Sequence, residues 1–314
     1  MVADAPILQL EPALERFQEQ ADLVVVSADR ISATLFLRGG YLRLPSVVDA
    51  RMAVPTGIKA LSKLSQGVAS DLRRLRRSRY TWKVTTGAAD FSLFYERFYL
   101  PFVRQRHGEL AVAQDCDWLR YHYLRSTVLW IMHDREPVAG TLLNRHGTVL
   151  TSVLNGVLDG DVEHLQRGAL AALYVQAVEY AHEQGCRYFD FGGSRPSLHD
   201  GVLRYKRKWG ITLRDRRDTH DILIRWYRWT PAVAAFLTGT SLIYRLNSGL
   251  SAVAALNCRE PAAQEDADHA HHLLWTGGLH SLSLINSGGW REGIAPPTHT
   301  RLLGPSAAAD LLCP

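Results

Sequence analysis

The residues best suited to chemistry lie in one short segment, YFDFGGSRPSLHDGVLRYKRKWG (188–210). The carboxylate of Asp190 precedes a Gly-Gly-Ser turn, and Tyr205, Lys206 and Lys208 follow a few residues later. Backbone N–H groups at a glycine turn can bind an anion, and lysine side chains can neutralise its charge. The segment therefore predicts a site for a negatively charged group, although a buried strand, a turn and a solvated helix would give the same pattern.

Positive charge is concentrated in the middle of the chain. The sequence of 314 residues has a formal net charge of +5. Residues 71–83 carry six cations against one acid, and residues 204–217 carry seven cations against one acid. Such clusters suit an anionic ligand, for example a phosphate-bearing cofactor or RNA. The alternative is an arginine-rich helix face that is simply solvated.

Composition and motifs exclude several classes of protein. No run of eighteen apolar residues occurs, so no transmembrane helix is predicted, and the acidic N-terminus lacks the pattern of a secretory signal. The cysteines show no CxxC spacing, which argues against a zinc site or a disulfide framework; they are Cys116, Cys186, Cys258 and Cys313. Ser-His-Asp, HExxH and P-loop patterns are absent. We expect a cytoplasmic protein with free thiols and no metal.

Helices and strands must position the segment 188–210. The periodicity predicts a hairpin at 32–48, around a Gly-Gly pair, and a helix at 57–78. The central elements predicted in chain order are a strand (81–86), a helix (88–107) with a kink near Pro101, a helix (115–126), a three-stranded meander (127–157), a long helix (163–184) ended by Gly185, a strand (187–191), a short helix (198–208) and a strand region (211–226).

The order of these elements resembles the GNAT N-acyltransferase fold, and the segment 188–210 resembles the Fem-type, FemAB-like branch of that superfamily. The residues that carry the resemblance are FDFGGS (189–194) and Tyr205-Lys206-x-Lys208-Trp209-Gly210. Stretches of DLRRLRRSRYTWKVTT and FYLPFVRQRHG are also similar to members of the branch, so the resemblance covers roughly residues 70–225. It implies an α/β (α+β) fold: a mixed, mostly antiparallel sheet with flanking helices and a splayed central cleft, plus an N-terminal extension or a reduced second lobe.

The resemblance of the central part, together with composition and pattern elsewhere, predicts a division of the chain. Its expected parts are a hairpin and helix that extend the sheet or form a reduced lobe (1–80), the GNAT-like core (81–228), a helical segment (229–259), and a linker with a weakly structured tail (260–314). Within the core, four strands should be neighbours, with the helix 163–184 packed across them; they lie near 127–133, 138–145, 148–157 and 187–191.

An anion-binding site is implied at the start of the long helix. In GNAT enzymes the loop before this helix binds the pyrophosphate of acyl-CoA, because a helix N-terminus offers unpaired N–H donors and a positive dipole end. The matching residues here are Gln166, Arg167 and Gly168. They depart from the family pattern, since Gln166 stands two rather than three positions before the glycine and Leu170 replaces a small residue. Gly168 has an alternative role in close helix–sheet packing.

A second part of the implied site lies where the strand 187–191 splays from its neighbour. The cleft opened there would bring acyl donor and acceptor together. Gly192, Gly193 and Ser194 would end the strand with N–H groups that face the cleft. Together with Lys208, these residues and the helix start at Gln166–Gly168 are the expected donor-binding residues.

Asp190, Tyr205 and Lys206 are the expected catalytic residues. Asp190 points to the opposite strand face from its aromatic neighbours and needs a partner if buried, so it is either a base or orienting group, or a structural acceptor for Arg195 or a neighbouring N–H. Tyr205 either protonates a leaving group or packs in the core. Helical periodicity places Lys206 and Lys208 on different sides, so not every cation can face one ligand.

Three functions are compatible with the sequence. The first is an N-acyltransferase that uses acyl-CoA or an acyl carrier protein and acylates an amine of a small molecule, a sugar or a peptide. The second is a Fem-like aminoacyltransferase whose donor is aminoacyl-tRNA, with residues 71–83 contacting RNA. The third is a GNAT-like binding module without catalysis, since fold does not fix function.

Overall fold

The computed structural model describes residues 6, 10–37, 39–108, 113–123, 126–216, 220–256, 258 and 260–312. Over these residues the chain has a mixed α/β fold with mostly antiparallel sheets, which confirms the predicted fold class. The chain divides into two compact units. The first comprises Met1–Asp49, Ser194–Tyr205 and Thr212–Pro314, and the second comprises Ala50–Gly193 and Lys206–Ile211.

The strands are β1 (Leu23–Asp29), β2 (Leu42–Pro45), β3 (Val48–Ala53), β4 (Thr81–Thr86), β5 (Thr127–His133), β6 (Glu136–His146), β7 (Val149–Val157), β8 (Tyr188–Ser194), β9 (Thr212–Asp215), β10 (His220–Trp226), β11 (Leu242–Leu246), β12 (Gly249–Leu256), β13 (Leu279–Asn286) and β14 (Thr300–Leu303). The α-helices are α1 (Leu10–Phe17), α2 (Arg30–Phe36), α3 (Ile58–Leu61), α4 (Gln66–Ser78), α5 (Ala88–Leu93), α6 (Leu100–His107), α7 (Cys116–Tyr123), α8 (Val162–Gln166), α9 (Ala169–Glu183), α10 (Gly201–Arg207), α11 (Pro231–Thr240) and α12 (Gln264–Leu274). None of the helices described combines the length and the hydropathy that crossing a membrane requires.

The second unit is built on a sheet with the strand order β4-β5-β6-β7-β8-β3. Strands β4 to β7 run antiparallel, and β8 pairs with β7 in parallel. Six consecutive residues of β6 are buried, as expected for a central strand covered on both faces. The four strands predicted to be neighbours are therefore neighbours, and α9 packs against β5, β6 and β7 as expected.

The long helix predicted at 163–184 is interrupted. Helix α8 ends at Gln166, and α9 begins at Ala169 after Gly168, whose φ of +92° lies in the left-handed region. Glycine adopts this conformation without the steric cost of a Cβ, and it breaks the helical hydrogen-bond series. Gly168 is therefore the N-cap of α9 rather than a residue of its first turn, which corrects the sequence expectation. Gly185, with a φ of +67°, follows the end of α9 as predicted.

The irregularity predicted near Pro101 is a π-helical segment at Phe94–Tyr99. Proline has no N–H, and its ring clashes with the carbonyl four residues earlier, so regular α-helical bonding is interrupted there. The aromatic side chains of the segment pack on the sheet, where the ring centroids of Phe98 and Trp130 are 4.9 Å apart. Gly156 of β7 permits this approach, because a Cβ there would lie 2.5 Å from the Phe98 carbonyl carbon.

The first unit contains two sheets, with the strand orders β1-β10-β2 and β11-β12-β13-β14. Strands β12, β13 and β14 are parallel to one another, and α12 connects β12 to β13. Buried aliphatic side chains from both sheets and from α11 form its main core, among them Leu44, Leu237, Val253 and Ile285. This core gives the unit its own apolar centre.

The hairpin predicted at residues 32–48 does not form, because its first arm is the helix α2. Asp29 caps that helix, accepting a 2.9 Å hydrogen bond from the Ser32 N–H. Ala33 and Leu37 lie four residues apart and are both fully buried, which is a helical spacing. The run of apolar and β-branched residues suggested a strand, but the cap and this spacing decided the local structure.

The C-terminal part is more ordered than its composition suggested. Residues 229–259, expected to be helical, contain β11 and β12 as well as α11, and residues 260–314 contain α12, β13 and β14. In β13, the five residues from Leu282 to Asn286 are buried. A short apolar run suffices for a strand buried within a parallel sheet, so the weak pattern of this region was misleading.

Candidate functional site

The pairing between β7 and β8 stops after three residue pairs. The parallel ladder ends at Thr151 and Asp190, although β7 continues to Val157 and β8 to Ser194, and all of these residues are described. Beyond the last pair the ladder does not continue, although Gly192 of β8 still lies against the Ser152 carbonyl of β7. The ladder therefore ends where the sequence predicts a splayed cleft.

The backbone of β8 turns at Gly192 and Gly193, and these two residues are called the β8 turn below. Its φ of +75° lies in the left-handed region, and a Cβ at this position would lie 2.5 Å from the Ser152 carbonyl oxygen of β7. Both facts require glycine, since a side chain would be strained by the φ and would collide with the neighbouring backbone. Gly192 therefore lets β8 approach the β7 backbone closely just beyond the last ladder pair.

Asp190 is buried beside this turn, with 3% of its surface exposed. Its Oδ2 accepts a hydrogen bond from the Arg51 Nε at 3.3 Å, and its Oδ1 accepts one from the Gly192 N–H at 2.9 Å. This is the geometry of a structural acceptor, with Arg51 as the partner in the second unit. The Gly192 N–H is engaged by Asp190, whereas the sequence predicted that it would face the cleft.

Asp190 binds an N–H of the glycine pair, whereas Lys206 binds the two carbonyls of the pair. The lysine is 2% exposed, and its Nζ donates to the Gly192 carbonyl at 2.9 Å and to the Gly193 carbonyl at 2.8 Å. In a planar trans peptide the C=O and the following N–H point in opposite directions. Lys206 therefore turns the N–H groups of Gly193 and Ser194 away from itself, which fixes the orientation of the turn.

Aromatic side chains and one polar side chain pack beside the turn. The Phe191 ring centroid lies 5.0 Å from that of Tyr174 and 5.9 Å from that of Trp209. The Tyr174 hydroxyl accepts a 3.2 Å hydrogen bond from the Asn155 Nδ2. Burial raises the pKa of Tyr174 far above its ordinary value, so the phenol stays protonated. The Trp209 Nε1 is buried and has no hydrogen-bond partner among the residues described.

Lys208 forms an ion pair with Asp71 of α4. The side chains are 21% and 12% exposed, and the Lys208 ammonium also lies 5.6 Å from the centroid of the Trp209 ring. Lys208 was predicted to bind the donor. Its observed contacts instead join α4 to the segment that follows α10.

The N-terminus of α9 is held against the end of α4. The Ser78 hydroxyl lies within hydrogen-bonding distance of two carbonyls, that of Arg167 at 2.9 Å and that of Arg74 at 3.0 Å. Gly168 faces Arg74, whose Cδ would lie 3.1 Å from a Cβ at the glycine. The end of α4 and the start of α9 thus form one surface.

A cavity of about 340 Å³ lies at this surface and is lined mainly by arginines. The lining residues are Arg74, Arg77, Ser78, Arg79, His133 and Arg167. Arg167 is paired with Glu163. No ion pair with a carboxylate is formed by Arg74, Arg77 or Arg79 within the part of the chain described. Below, this cavity is called the arginine pocket.

The predicted site residues fall into separate groups. Four of them are in direct contact at the β8 turn, namely Asp190, Gly192, Gly193 and Lys206. Three lie at the start of α9, where Gln166 and Arg167 are exposed and Gly168 is buried. Ser194 is buried and Tyr205 is half-buried, and both belong to the first unit. In the described ranges no cluster of His, Cys, Asp and Glu side chains is arranged to hold a metal ion.

Sequence reasoning missed several residues of these groups. Arg51 and Asn155 carry no local signal, because each acts through a partner far along the chain. His133 ends β5 and lines the arginine pocket. The basic run 71–83 was recognised, but its connection to Arg167 is visible only in the tertiary structure.

One family model matches the central part of the chain. Residues 62–207 match a family described as "Acetyltransferase (GNAT) domain". This range includes α4, β7, β8, α9 and Lys206. No curated protein matches the chain in sequence.

Several solved structures are similar in fold at low sequence identity. L-PGS from Bacillus licheniformis is 14% identical with a TM-score of 0.41, and the match covers 73% of this chain and 76% of that one. FemX is 11% identical with a TM-score of 0.44, covering 74% and 79%. A probable N-acyltransferase from Enterococcus faecalis V583 is 11% identical with a TM-score of 0.35, covering 76% and 55%.

Proposed function

We propose that this chain, which carries a GNAT acyltransferase domain over residues 62–207, transfers an acyl group from an acyl thioester to an amine. The donor is acyl-CoA or an acyl-loaded carrier protein, and the acceptor is an amine of a small molecule, a sugar or a peptide. The observation that carries the proposal is the end of the parallel ladder between β7 and β8 at Thr151 and Asp190. Unpaired strands leave room and backbone polar groups for an extended acyl chain between them.

The β8 turn has the features that acyl transfer requires. The neutral amine attacks the acyl carbonyl, a C–N bond forms, the C–S bond breaks, and the proton lost by the amine neutralises the thiolate. Negative charge develops on the carbonyl oxygen, and a fixed backbone donor stabilises it. The Gly193 N–H, which is turned away from Lys206, is the donor proposed for this oxygen.

Lys206 and Asp190 are positioning residues in this proposal. Lys206 holds the carbonyls of Gly192 and Gly193, and Asp190 holds the Gly192 N–H from the other side. Neither needs to exchange a proton with the substrate, since a water can carry the amine proton to the thiolate. The phosphates of a CoA-type donor would lie at the N-terminus of α9, near Gln166, Arg167 and Gly168.

The test is an acyl-transfer assay with the full chain. We would incubate it with a panel of acyl-CoA thioesters and amine acceptors and detect the amide products by mass spectrometry. Lys206→Met should lower the turnover by at least about a hundredfold, as expected for loss of an organised oxyanion donor. Lys83→Met, which changes an exposed lysine of β4, is the control and should retain full turnover. Absence of product from every thioester would reject the proposal.

A second donor, aminoacyl-tRNA, is favoured by one observation. Arg73 and Arg76 of α4 are exposed and lie outside the lining of the arginine pocket. They extend positive charge over the helix surface, as contact with a nucleic-acid backbone requires. Transfer from aminoacyl-tRNA with a steep salt dependence, together with no transfer from thioesters, would support this function. Ligand binding without transfer from either donor would indicate a binding module.

A further inference from the structure

We infer that β3 is part of the acyl-transfer site, although it precedes the residues that match the acetyltransferase family, and that its Arg51 is a positioning residue that acts through Asp190. The family match covers residues 62–207, whereas β3 spans Val48–Ala53. The inference rests on the proposed function for the reaction that the site catalyses. It adds a charged residue from outside the matched range to the β8 turn.

Strand β3 lies beside β8 in the sheet, and from Ala50 onward it belongs to the second unit. Just past the strand, the Val54 N–H donates to the Arg187 carbonyl at 2.9 Å. The side chains of Ala50 and Met52 are buried, and Arg51 between them points to the other face. Because β8 would be exposed along one edge without β3, the matched range alone does not contain the complete sheet around the turn.

Arg51 and Gly192 bind the two oxygens of the Asp190 carboxylate. The Arg51 Nε donates to Oδ2 at 3.3 Å, and the Gly192 N–H donates to Oδ1 at 2.9 Å. The Asp190 side chain is 4% exposed and that of Arg51 is 24% exposed, so the contact is largely shielded from water. A buried carboxylate is costly without a cation, and a neighbouring cation favours its ionised form, which can only accept hydrogen bonds. Arg51 therefore supports the form of Asp190 that holds the Gly192 N–H.

The guanidinium group of Arg51 also contacts an aromatic ring. It lies 5.8 Å from the centroid of the Tyr188 ring, and the guanidinium group of Arg187 lies at the same distance from that ring. Cation–π attraction favours both placements. Arg187 is exposed and forms no ion pair within the part of the chain that the structure describes. The two arginines share the ring contact and differ in the contact with Asp190, so Arg187 is a matched control.

Two sets of hydrogen bonds fix the β8 turn. Arg51 and Asp190 hold its Gly192 N–H, and Lys206 holds its two carbonyls. A backbone donor stabilises the charge on the acyl oxygen only where its orientation is fixed before the reaction. Loss of Arg51 removes one group that fixes the Asp190 carboxylate, so the turn becomes less well oriented. Because that charge develops only in the transition state, the loss should appear in kcat rather than in the donor KM.

The experiment compares Arg51 with Arg187 in the full chain, using the acyl-CoA thioester and the amine that give the most product with the wild type. Arg51→Gln should lower kcat at least about tenfold and leave the donor KM within about twofold, since a support of the oxyanion donor is lost. Arg51→Lys should restore most of kcat, because its ammonium can bond the same carboxylate. Arg187→Gln should keep kcat within about twofold of the wild type. Equal kcat in Arg51→Gln and Arg187→Gln would overturn the inference.

A double-mutant cycle tests whether Arg51 acts through Asp190. Asp190→Asn keeps the size of the side chain and removes its charge, so a further Arg51→Gln should lower kcat by no more than about twofold. A further loss as large as that of Arg51→Gln alone would show independent roles and would also overturn the inference. The double variant has no buried carboxylate at position 190 to leave unpaired, so this comparison remains possible where Arg51→Gln alone does not fold.

Amide hydrogen exchange gives a readout that does not depend on activity. The Gly192 amide should exchange at least about tenfold faster in Arg51→Gln than in the wild type, and at the wild-type rate in Arg187→Gln. If no thioester is a substrate, the proposed function fails, while faster exchange at Gly192 supports the hold of Arg51 on the turn and unchanged exchange overturns it. If the wild type transfers an acyl group but the two arginine variants agree in exchange and in kcat, Arg51 is rejected and the acyltransferase stands.

Discussion

The end of α4 and the segment after β8 are both strongly basic, but their cations differ in burial and in partners. Arg74 and Arg77 are exposed, line a cavity and have no carboxylate partner in the described part of the chain. Lys206 is fully buried on two backbone carbonyls, and Lys208 is paired with Asp71. The arginines of the first region have no carboxylate partner there, whereas the lysines of the second bind two backbone carbonyls and the carboxylate of Asp71.

The chemistry of the two side chains accounts for this difference. Lysine is a compact ammonium on a flexible stem, so it can reach a small buried position and bond two carbonyls at once. Arginine has a planar, weakly hydrated fork that suits bidentate contacts with phosphate. Two basic segments of one chain can therefore serve different purposes.

The largest expected effect is that of Lys206→Met. The substitution keeps the apolar stem but leaves the carbonyls of Gly192 and Gly193 without their donor in a buried position. We expect the free energy of unfolding to fall by about 3 kcal/mol, since hydrogen bonds to a charged group contribute about 1.5–3 kcal/mol each. Urea unfolding measures the change, with Lys83→Met as a control expected within about 0.5 kcal/mol of the wild type. Equal stability of the two variants would contradict the structural role assigned to Lys206.

Gly192→Ala should be next in size. A Cβ at Gly192 meets the Ser152 carbonyl oxygen at 2.5 Å and also requires a left-handed φ of +75°. The matched control is Gly147→Ala, where φ is +58° but no atom lies within 4 Å of a Cβ. The control should lose about 1 kcal/mol through strain alone, and Gly192→Ala should lose about 1 kcal/mol more through the collision. Thermal unfolding measures both, and similar losses would show that the close approach to β7 has no energetic role.

A double-mutant cycle on Lys208 and Asp71 tests whether Lys208, in the segment after β8, stabilises the fold. We expect a coupling energy of about 1 kcal/mol for Lys208→Ala with Asp71→Asn, because the pair is only partly solvated. Donor affinity should be unchanged in Lys208→Ala, since the ammonium contacts α4 and Trp209. If calorimetry instead shows weaker donor binding in Lys208→Ala than in a variant with Arg74→Gln and Arg77→Gln, the roles assigned to the two regions are reversed.

The smallest effect is a pH dependence that originates at Tyr174, beside the β8 turn. Burial raises its folded-state pKa above the ordinary value of 10.0, so above that pH the unfolded chain releases a proton that the folded protein keeps. Stability from this group is complete below pH 10 and is lost as the pH rises further. Urea unfolding at about pH 9 and about pH 11 should show a shallower loss in Tyr174→Phe than in the wild type. Identical slopes would contradict burial of the phenol.

Local patterns predicted the elements around the site because their determinants are close in sequence. The meander, the helix that ends before Gly185 and the irregularity at Pro101 depend on periodicity and on the conformations open to glycine and proline. The predictions failed where local signals were weak or ambiguous. The arm that became α2 was decided by the cap at Asp29, and β13 was decided by burial in a parallel sheet.

The sequence by itself determined which residues carry charge, which glycines permit a left-handed backbone, and where the basic segments lie. Only the tertiary structure decided which charges are neutralised. Asp190 meets Arg51 across 139 positions of the chain, and Lys208 meets Asp71 across 137. Such partners are chosen by the packing of distant elements rather than by local propensity. For the same physical reason, the arginines of α4 became a pocket only when the start of α9 was packed against them.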